Sequence, residues 1–158
     1  MAKYCEGMLE YESDSGVFTW LESPCPAVFP GDVAGTVNKR GYRSIQVNRK
    51  IYPAHRLAWR YVYGSFPVVG VDHMNGKKDD NRIENLRLAD NTLNKQNMRT
   101  ARKDSSTGLL GVKPHLGRYQ ARISFGGKRH SLGLFDTAPQ AHAAYIKAKR
   151  IHHEGCTI

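Results

Sequence analysis

Apolar residues along this chain recur first with the period of a strand and then with the period of a helix. Val17-Phe18-Thr19-Trp20-Leu21 follows Asp14-Ser15-Gly16, a strand after a turn. Ser23 to Gly35 contains Pro24, Pro26, Pro30, Gly31 and Gly35, a composition that excludes a regular element. From Tyr42 to Val47 the pattern alternates, with Ile45 and Val47 on one face and Ser44 and Gln46 on the other. Asn48-Arg49-Lys50 then turns into Ile51-Tyr52, which predicts a hairpin. Beyond Pro53, tolerated in a first helical turn, Ala54, Leu57, Ala58, Tyr61 and Val62 recur at i, i+3, i+4, i+7 and i+8. Gly64 and Pro67 end that helix.

The second half begins with a β-branched run from Val68 to His73, a polar loop Asn75 to Asn81, and a return strand Asn85-Leu86-Arg87-Leu88. Asp90 caps a predicted helix from about Asn91 to Arg99. This order is a ββα unit. Arg99 to Thr107 has no apolar periodicity and is expected to be a linker. Strands are predicted at Leu110 to Lys113, Arg118 to Phe125 and Lys128 to Phe135, the last two joined by Gly126-Gly127. Thr137 caps a final helix with the stripe Ala138, Ala141, Ala144, Tyr145, Ala148 and Ile151, whose small residues allow close packing on a sheet.

The chain has 158 residues and a formal charge of +10, which points to a polyanionic partner. The charge is uneven. Residues 99–158 hold eleven Lys and Arg against three acids, net +8, and residues 1–98 hold thirteen against eleven, net +2. No apolar run is long enough for a membrane span and no secretory leader is visible, so a cytoplasmic protein is expected. Cys5, Cys25 and Cys156 are odd in number and far apart, which argues against a disulfide framework and a cysteine-based zinc site.

The densest chemistry lies at Asp72-His73, with Asn85 and Asn94 downstream. Asp72 is a hard oxygen ligand suited to Mg²⁺, and Asn94 offers a neutral carbonyl oxygen. His73 alternates to the opposite side of an extended segment and, neutral near pH 7, can take a proton from water. Asn85 can tie the loop together and orient His73. A lone histidine is more often structural than catalytic; the neighbouring acid and the two carboxamides reverse that balance. Asn91 reads as a helix-surface residue, Asn97 as a support, and His55 as a packing residue or a phosphate contact. Residues 1–41 present no identifiable chemistry.

His55-Arg56-Leu57-Ala58-Trp59, Val71-Asp72-His73-Met74-Asn75-Gly76, Asp80-Asn81-Arg82, Glu84-Asn85-Leu86-Arg87 and Asn94-Lys95-Gln96-Asn97 resemble the HNH family of nucleases, most of all phage-encoded homing endonucleases. The resemblance implies that Asp72 binds the metal, that His73 is the general base, that Asn85 holds loop and base, and that Asn94 is the second ligand. Asp72 and Asn94 stand where the family's name would place histidines. That variant implies Mg²⁺, with Mn²⁺ as a substitute, and does not call for zinc.

A second set, Gly108-Leu109-Leu110-Gly111-Val112, Arg118-Tyr119-Gln120-Ala121-Arg122-Ile123, Leu132-Gly133-Leu134-Phe135-Asp136-Thr137 and Ala141-His142-Ala143-Ala144-Tyr145, resembles the ethylene-response-factor (Apetala-type) DNA-binding domain. That resemblance implies a three-stranded sheet entering the major groove, backed by an Ala-rich helix. Alternation puts Arg118, Gln120 and Arg122 on one face. With Lys113, His115, Lys128 and His130 they form the expected DNA face, and Arg99, Arg102 and Lys103 of the linker follow the DNA backbone or minor groove.

The combined expectation is an α+β protein: an HNH domain over 1–98 (core 50–98) with a ββα-metal unit after a hairpin and a helix, a basic linker 99–107, and an Apetala-type domain over 108–158. It would act as a monomer on double-stranded DNA, hydrolysing phosphodiester bonds. The rivals are a non-catalytic DNA-binding regulator and, favoured by charge alone, an RNA-binding protein.

Overall fold

The computed structural model describes residues 7–158. It is a mixed α and β protein that divides into two compact units, one ending at Asp90 and one running from Asn91 to Ile158.

The first unit opens with the antiparallel pair β1 (Leu9–Glu12) and β2 (Val17–Trp20). Gly16, at φ +72°, turns the chain so close to the backbone of Asn81 and Arg82 that a Cβ would lie 2.3 Å from the Arg82 nitrogen. Only glycine fits there. A short β3 (Thr36–Val37), β4 (Arg43–Val47) and β5 (Lys50–Pro53) form a three-stranded sheet. The β4–β5 turn carries Asn48 and Arg49 at φ 49° and 63°, the left-handed pair that a two-residue hairpin requires.

Helix α1 (Ala54–Tyr63) comes at once after β5, with Pro53 as its N-cap and Gly64 closing it in the left-handed conformation. Its stripe is narrower than expected: Ala54, Leu57 and Ala58 are buried, but Val62 is exposed. They join Leu9, Phe18, Trp20, Ile45, Val47 and Leu86 in one core. Hydrophobic burial of this kind is what holds such a unit together. β6 (Gly70–His73) and β7 (Leu86–Ala89) pair antiparallel, joined by the loop 74–82 and a 3₁₀ turn at Ile83–Asn85. β6 is shorter than the apolar run suggests, because Val68 and Val69 are exposed and outside the ladder.

The second unit starts with α2 (Asn91–Gln96), which stops three residues before the expected Arg99. The chain beyond α2 is not a free linker. Lys149 donates to the Met98 carbonyl, Arg99 donates to the Thr157 carbonyl at 3.0 Å, and the Thr157 hydroxyl donates to Asn97 at 2.6 Å. The C-terminal tail thus ties residues 97–99 into the second unit, and the packing boundary falls at Asp90/Asn91 rather than at the expected 98/99.

Strands β8 (Val112–His115), β9 (Arg118–Phe125) and β10 (Lys128–Phe135) form an antiparallel sheet in the order β10-β9-β8. Gly126 and Gly127 take φ 57° and 73° in the expected turn. Helix α3 (Ala138–His152) begins with a full capping box between Thr137 and Gln140. Its buried residues are Ala141, Ala148 and Lys149, while Ile151, expected in the stripe, is exposed. The core is small, built on Val112, Ala121 and Ala141. Gly111 lies against the Tyr145 ring, where a Cβ would come within 2.0 Å. Among the described residues no helix is long and apolar enough to cross a membrane.

Candidate active site and nucleic-acid interface

At the end of β6, Asp72 and His73 point to opposite sides of the strand, as the alternation of an extended chain dictates. The register sets Asp72 opposite Arg87 on β7 and His73 opposite Leu86. The Asp72 carboxylate accepts from Arg87 at 2.9 and 3.2 Å. Arg87 was visible in the sequence without a role; the cross-strand register gives it one.

His73 is 4% exposed. Its ring lies among Tyr42, with centroids 5.9 Å apart, and His55, at 5.1 Å in a T-shaped contact. Burial pushes its pKa below the ordinary histidine value, against the opposing hydrogen bond to Asn81 and the nearby carboxylates. The imidazole is therefore neutral at physiological pH, the form that can accept a proton. His55 is held down more strongly, to about 4, by burial first and then by His73 and Arg56. Its Nδ1 is buried without a hydrogen-bond partner. This is an uncharged ring packed beside the candidate base.

The loop after β6 is tied by its own side chains. Asn85 is buried; its Oδ1 accepts from the Asn75 amide at 3.0 Å, and its Nδ2 donates to the Asp80 carbonyl at 2.8 Å. Its backbone carbonyl accepts from Met74 at 2.9 Å. Asp80 takes two bonds from Arg82 at 2.9 Å each and one from Asn75 at 2.6 Å. The Arg82 bonds, more than any other influence, hold the Asp80 carboxyl down to about 2. Asn85 thus joins Asn75 to Asp80 across the loop, and the Asn81 carboxamide lies 3.3 Å from the His73 ring. Nothing in the one-dimensional pattern separated Asn81 from the other loop asparagines.

Asn94 lies half-buried on α2, in the second unit. Among the described residues no three His, Cys, Asp or Glu side chains gather as a metal site. Asp72 supplies a hard anionic oxygen held in place by Arg87, a ligand type that suits a divalent cation.

On the second unit, β9 fixes two faces by its register with β8 and β10. Val112, Ala121 and Ile123 are buried on one side. Lys113 pairs with Gln120, His115 with Arg118, Ser131 with Arg122 and Arg129 with Ser124, so these share the outer side. This corrects the expected face. Lys128 and His130 pair with Phe125 and Ile123 and belong to the inner side, where the Phe125 ring is stacked between His130 at 3.9 Å and His152 of α3 at 4.0 Å. Arg129 takes the outer position instead. The signal was available: a two-residue turn at Gly126-Gly127 pairs residue 125 with 128 and so 124 with 129.

A groove of about 470 Å³ beside this face is lined by Arg102, Lys113, Arg122 and Arg129 together with Asp104 and Ser105. Arg122 also donates to Gln120 at 2.7 Å, and Arg118 pairs with Asp136 at 2.8 Å. Lys103 is exposed, and Arg99 is engaged with Thr157.

With this geometry established, residues 52–99 match the sequence model of the family described as HNH endonuclease. The match takes in Asp72, His73, Asn85 and Asn94, and it stops before the second unit's sheet. Among solved structures, the chain is similar to the HNH homing endonuclease I-HmuI, in a structure describing DNA binding and cleavage by that enzyme. Identity is 22% and the TM-score 0.48, over 97% of this chain and 91% of that one. A search of curated proteins found no match.

Proposed function

We propose that this chain is a divalent-metal-dependent HNH endonuclease that hydrolyses double-stranded DNA, leaving 5′-phosphate and 3′-hydroxyl ends. The observation that carries the reading is a buried, neutral His73 directly after Asp72, within the segment that matches the HNH endonuclease family.

In this reading His73 removes a proton from the attacking water. The new bond forms at phosphorus while the bond to the 3′ oxygen breaks. Asp72 would hold the cation, with Asn94 as its second protein ligand, an assignment that rests on the spacing of nine residues after Asn85. When bound, the cation lends positive charge to the phosphate and to the departing oxygen; Mg²⁺ is the expected ion and Mn²⁺ its substitute. Arg87 keeps the Asp72 carboxylate oriented, and Asn85 keeps the loop closed around His73.

Residues 108–158 serve as an Apetala-type DNA-binding module, with Lys113, His115, Arg118, Gln120, Arg122 and Arg129 facing the duplex and Arg99, Arg102 and Lys103 along its backbone. The protein acts as a monomer. Supercoiled plasmid incubated with Mg²⁺ is the test. Cleavage by the wild type, its loss with EDTA and its loss in His73→Ala are the expected outcomes. A wild type that binds duplex DNA and never cuts it would leave the non-catalytic regulator standing, and preference for RNA in competition would favour the second rival.

A further inference from the structure

We infer that Asn81 is a positioning residue that fixes which ring nitrogen of His73 carries the hydrogen, and that the β1–β2 hairpin exists in part to hold it there. The inference rests on the reading of His73 as the base. Asn81 is 1% exposed, and its carboxamide orientation is determined by its other end. Nδ2 donates to the Asp79 carbonyl at 3.0 Å. Turning the amide over would set two oxygens against each other at that distance with no hydrogen between them. Oδ1 therefore faces His73 Nε2, 3.3 Å away, and a carbonyl oxygen only accepts. Nε2 must carry the hydrogen, which leaves the lone pair of the neutral ring on Nδ1.

Asn81 is fastened on every side. Asp79 is held by Arg43 of β4 through bonds of 2.8 and 3.0 Å. The Asn81 carbonyl accepts from the Tyr11 hydroxyl of β1 at 2.8 Å. Gly16 at the β1–β2 turn presses on the backbone of Asn81 and Arg82, and Ile83 donates to the Ser13 carbonyl at 3.3 Å. The N-terminal hairpin, which displays no chemistry of its own in the sequence, clamps the residue that orients the base.

The test is nitrogen NMR of the histidine rings in the ¹⁵N-labelled full chain, free of metal, at mildly alkaline pH. The His73 signals are assigned by their loss in His73→Gln. The expected wild-type spectrum has a hydrogen-bearing Nε2 and a bare Nδ1. Asn81→Asp keeps an acceptor toward Nε2 and retains that ring pattern, while its lost donor to the Asp79 carbonyl lowers stability. Asn81→Leu loses the protected Nε2 hydrogen, and kcat falls roughly ten- to a hundred-fold, the size seen when a histidine's orienting partner is removed, with KM for DNA unchanged. Tyr11→Phe gives a smaller change in the same direction.

A wild-type spectrum with the hydrogen on Nδ1 overturns the inference, and so does a folded Asn81→Leu with unchanged spectrum and rate. Should Asn81→Leu fail to fold, the wild-type and Asn81→Asp spectra decide. Failure of the nuclease reading is separate: it is seen as undiminished cleavage by His73→Ala, whatever the ring spectrum.

Discussion

The loop 74–82 of the first unit and the outer sheet face of the second are both rich in polar side chains, and they use them in opposite ways. In the loop and the turn that follows it, Asn75, Asp80, Asn81 and Asn85 satisfy one another and the backbone. On the sheet, Lys113, Arg118 and Arg129 are exposed. Buried polar networks fix atoms in place because a group left without its partner is costly there. Exposed charge attracts a polyanion at long range and tolerates imprecise contact. One region fixes the His73 ring among buried partners. The other leaves its positive charge in solvent.

The contrast predicts that mutations in the two regions separate rate from affinity. His73→Ala should lower the cleavage rate by roughly 10²- to 10⁴-fold, the contribution of a positioned general base, with duplex affinity by gel shift unchanged. A parallel loss of affinity would show that the two functions are not divided between the regions. Acid should strike the first unit next hardest. The folded state keeps His55 neutral down to about 4, while the unfolded chain takes up a proton near 6.5, so stability is lost as pH falls through that window. The loss at its lower end is on the order of 2–3 kcal/mol. Chemical denaturation of wild type and His55→Phe across that range measures it, and an equal loss in both would remove His55 as the cause.

Asn85→Ala comes next. It strands the Asn75 amide and the Asp80 carbonyl, costing about 1–3 kcal/mol of stability and loosening the frame around His73. Urea unfolding gives the first and single-turnover cleavage the second. Unchanged values in both would show that the loop is held by its other bonds. The smallest effects belong to the sheet. Lys113→Ala or Arg129→Ala should weaken duplex binding modestly and flatten the salt dependence by about one phosphate each, leaving kcat at saturating DNA as it was. Lys128→Ala, on the inner side of the sheet by its register, should change the salt slope least.

The strands and helices were legible where local pattern and packing agree. The β4–β5 hairpin, α1, β9, β10 and the capped start of α3 fall where alternation, helical spacing and turn chemistry put them. The strand β1 was missed, because Leu9–Glu12 has too short a pattern to stand out from its surroundings. Lys149 could not be foreseen as buried: its ammonium lies against the Met98 carbonyl, a partner far along the chain. Burial lowers its pKa below the usual lysine value.

By itself, the sequence determined which chemical groups are present and which neighbours share a strand or a helix face, since both derive from the short periods of the backbone. The acid, the histidine and the basic strand are of that kind. Tertiary structure alone decided the partners: Arg87 against Asp72, Asn81 against His73, and Tyr11 and Gly16 against Asn81. Such contacts depend on strand register and on loops folding back across long separations. Chemically equivalent asparagines in one loop become distinct only when a fixed frame gives each a different neighbour.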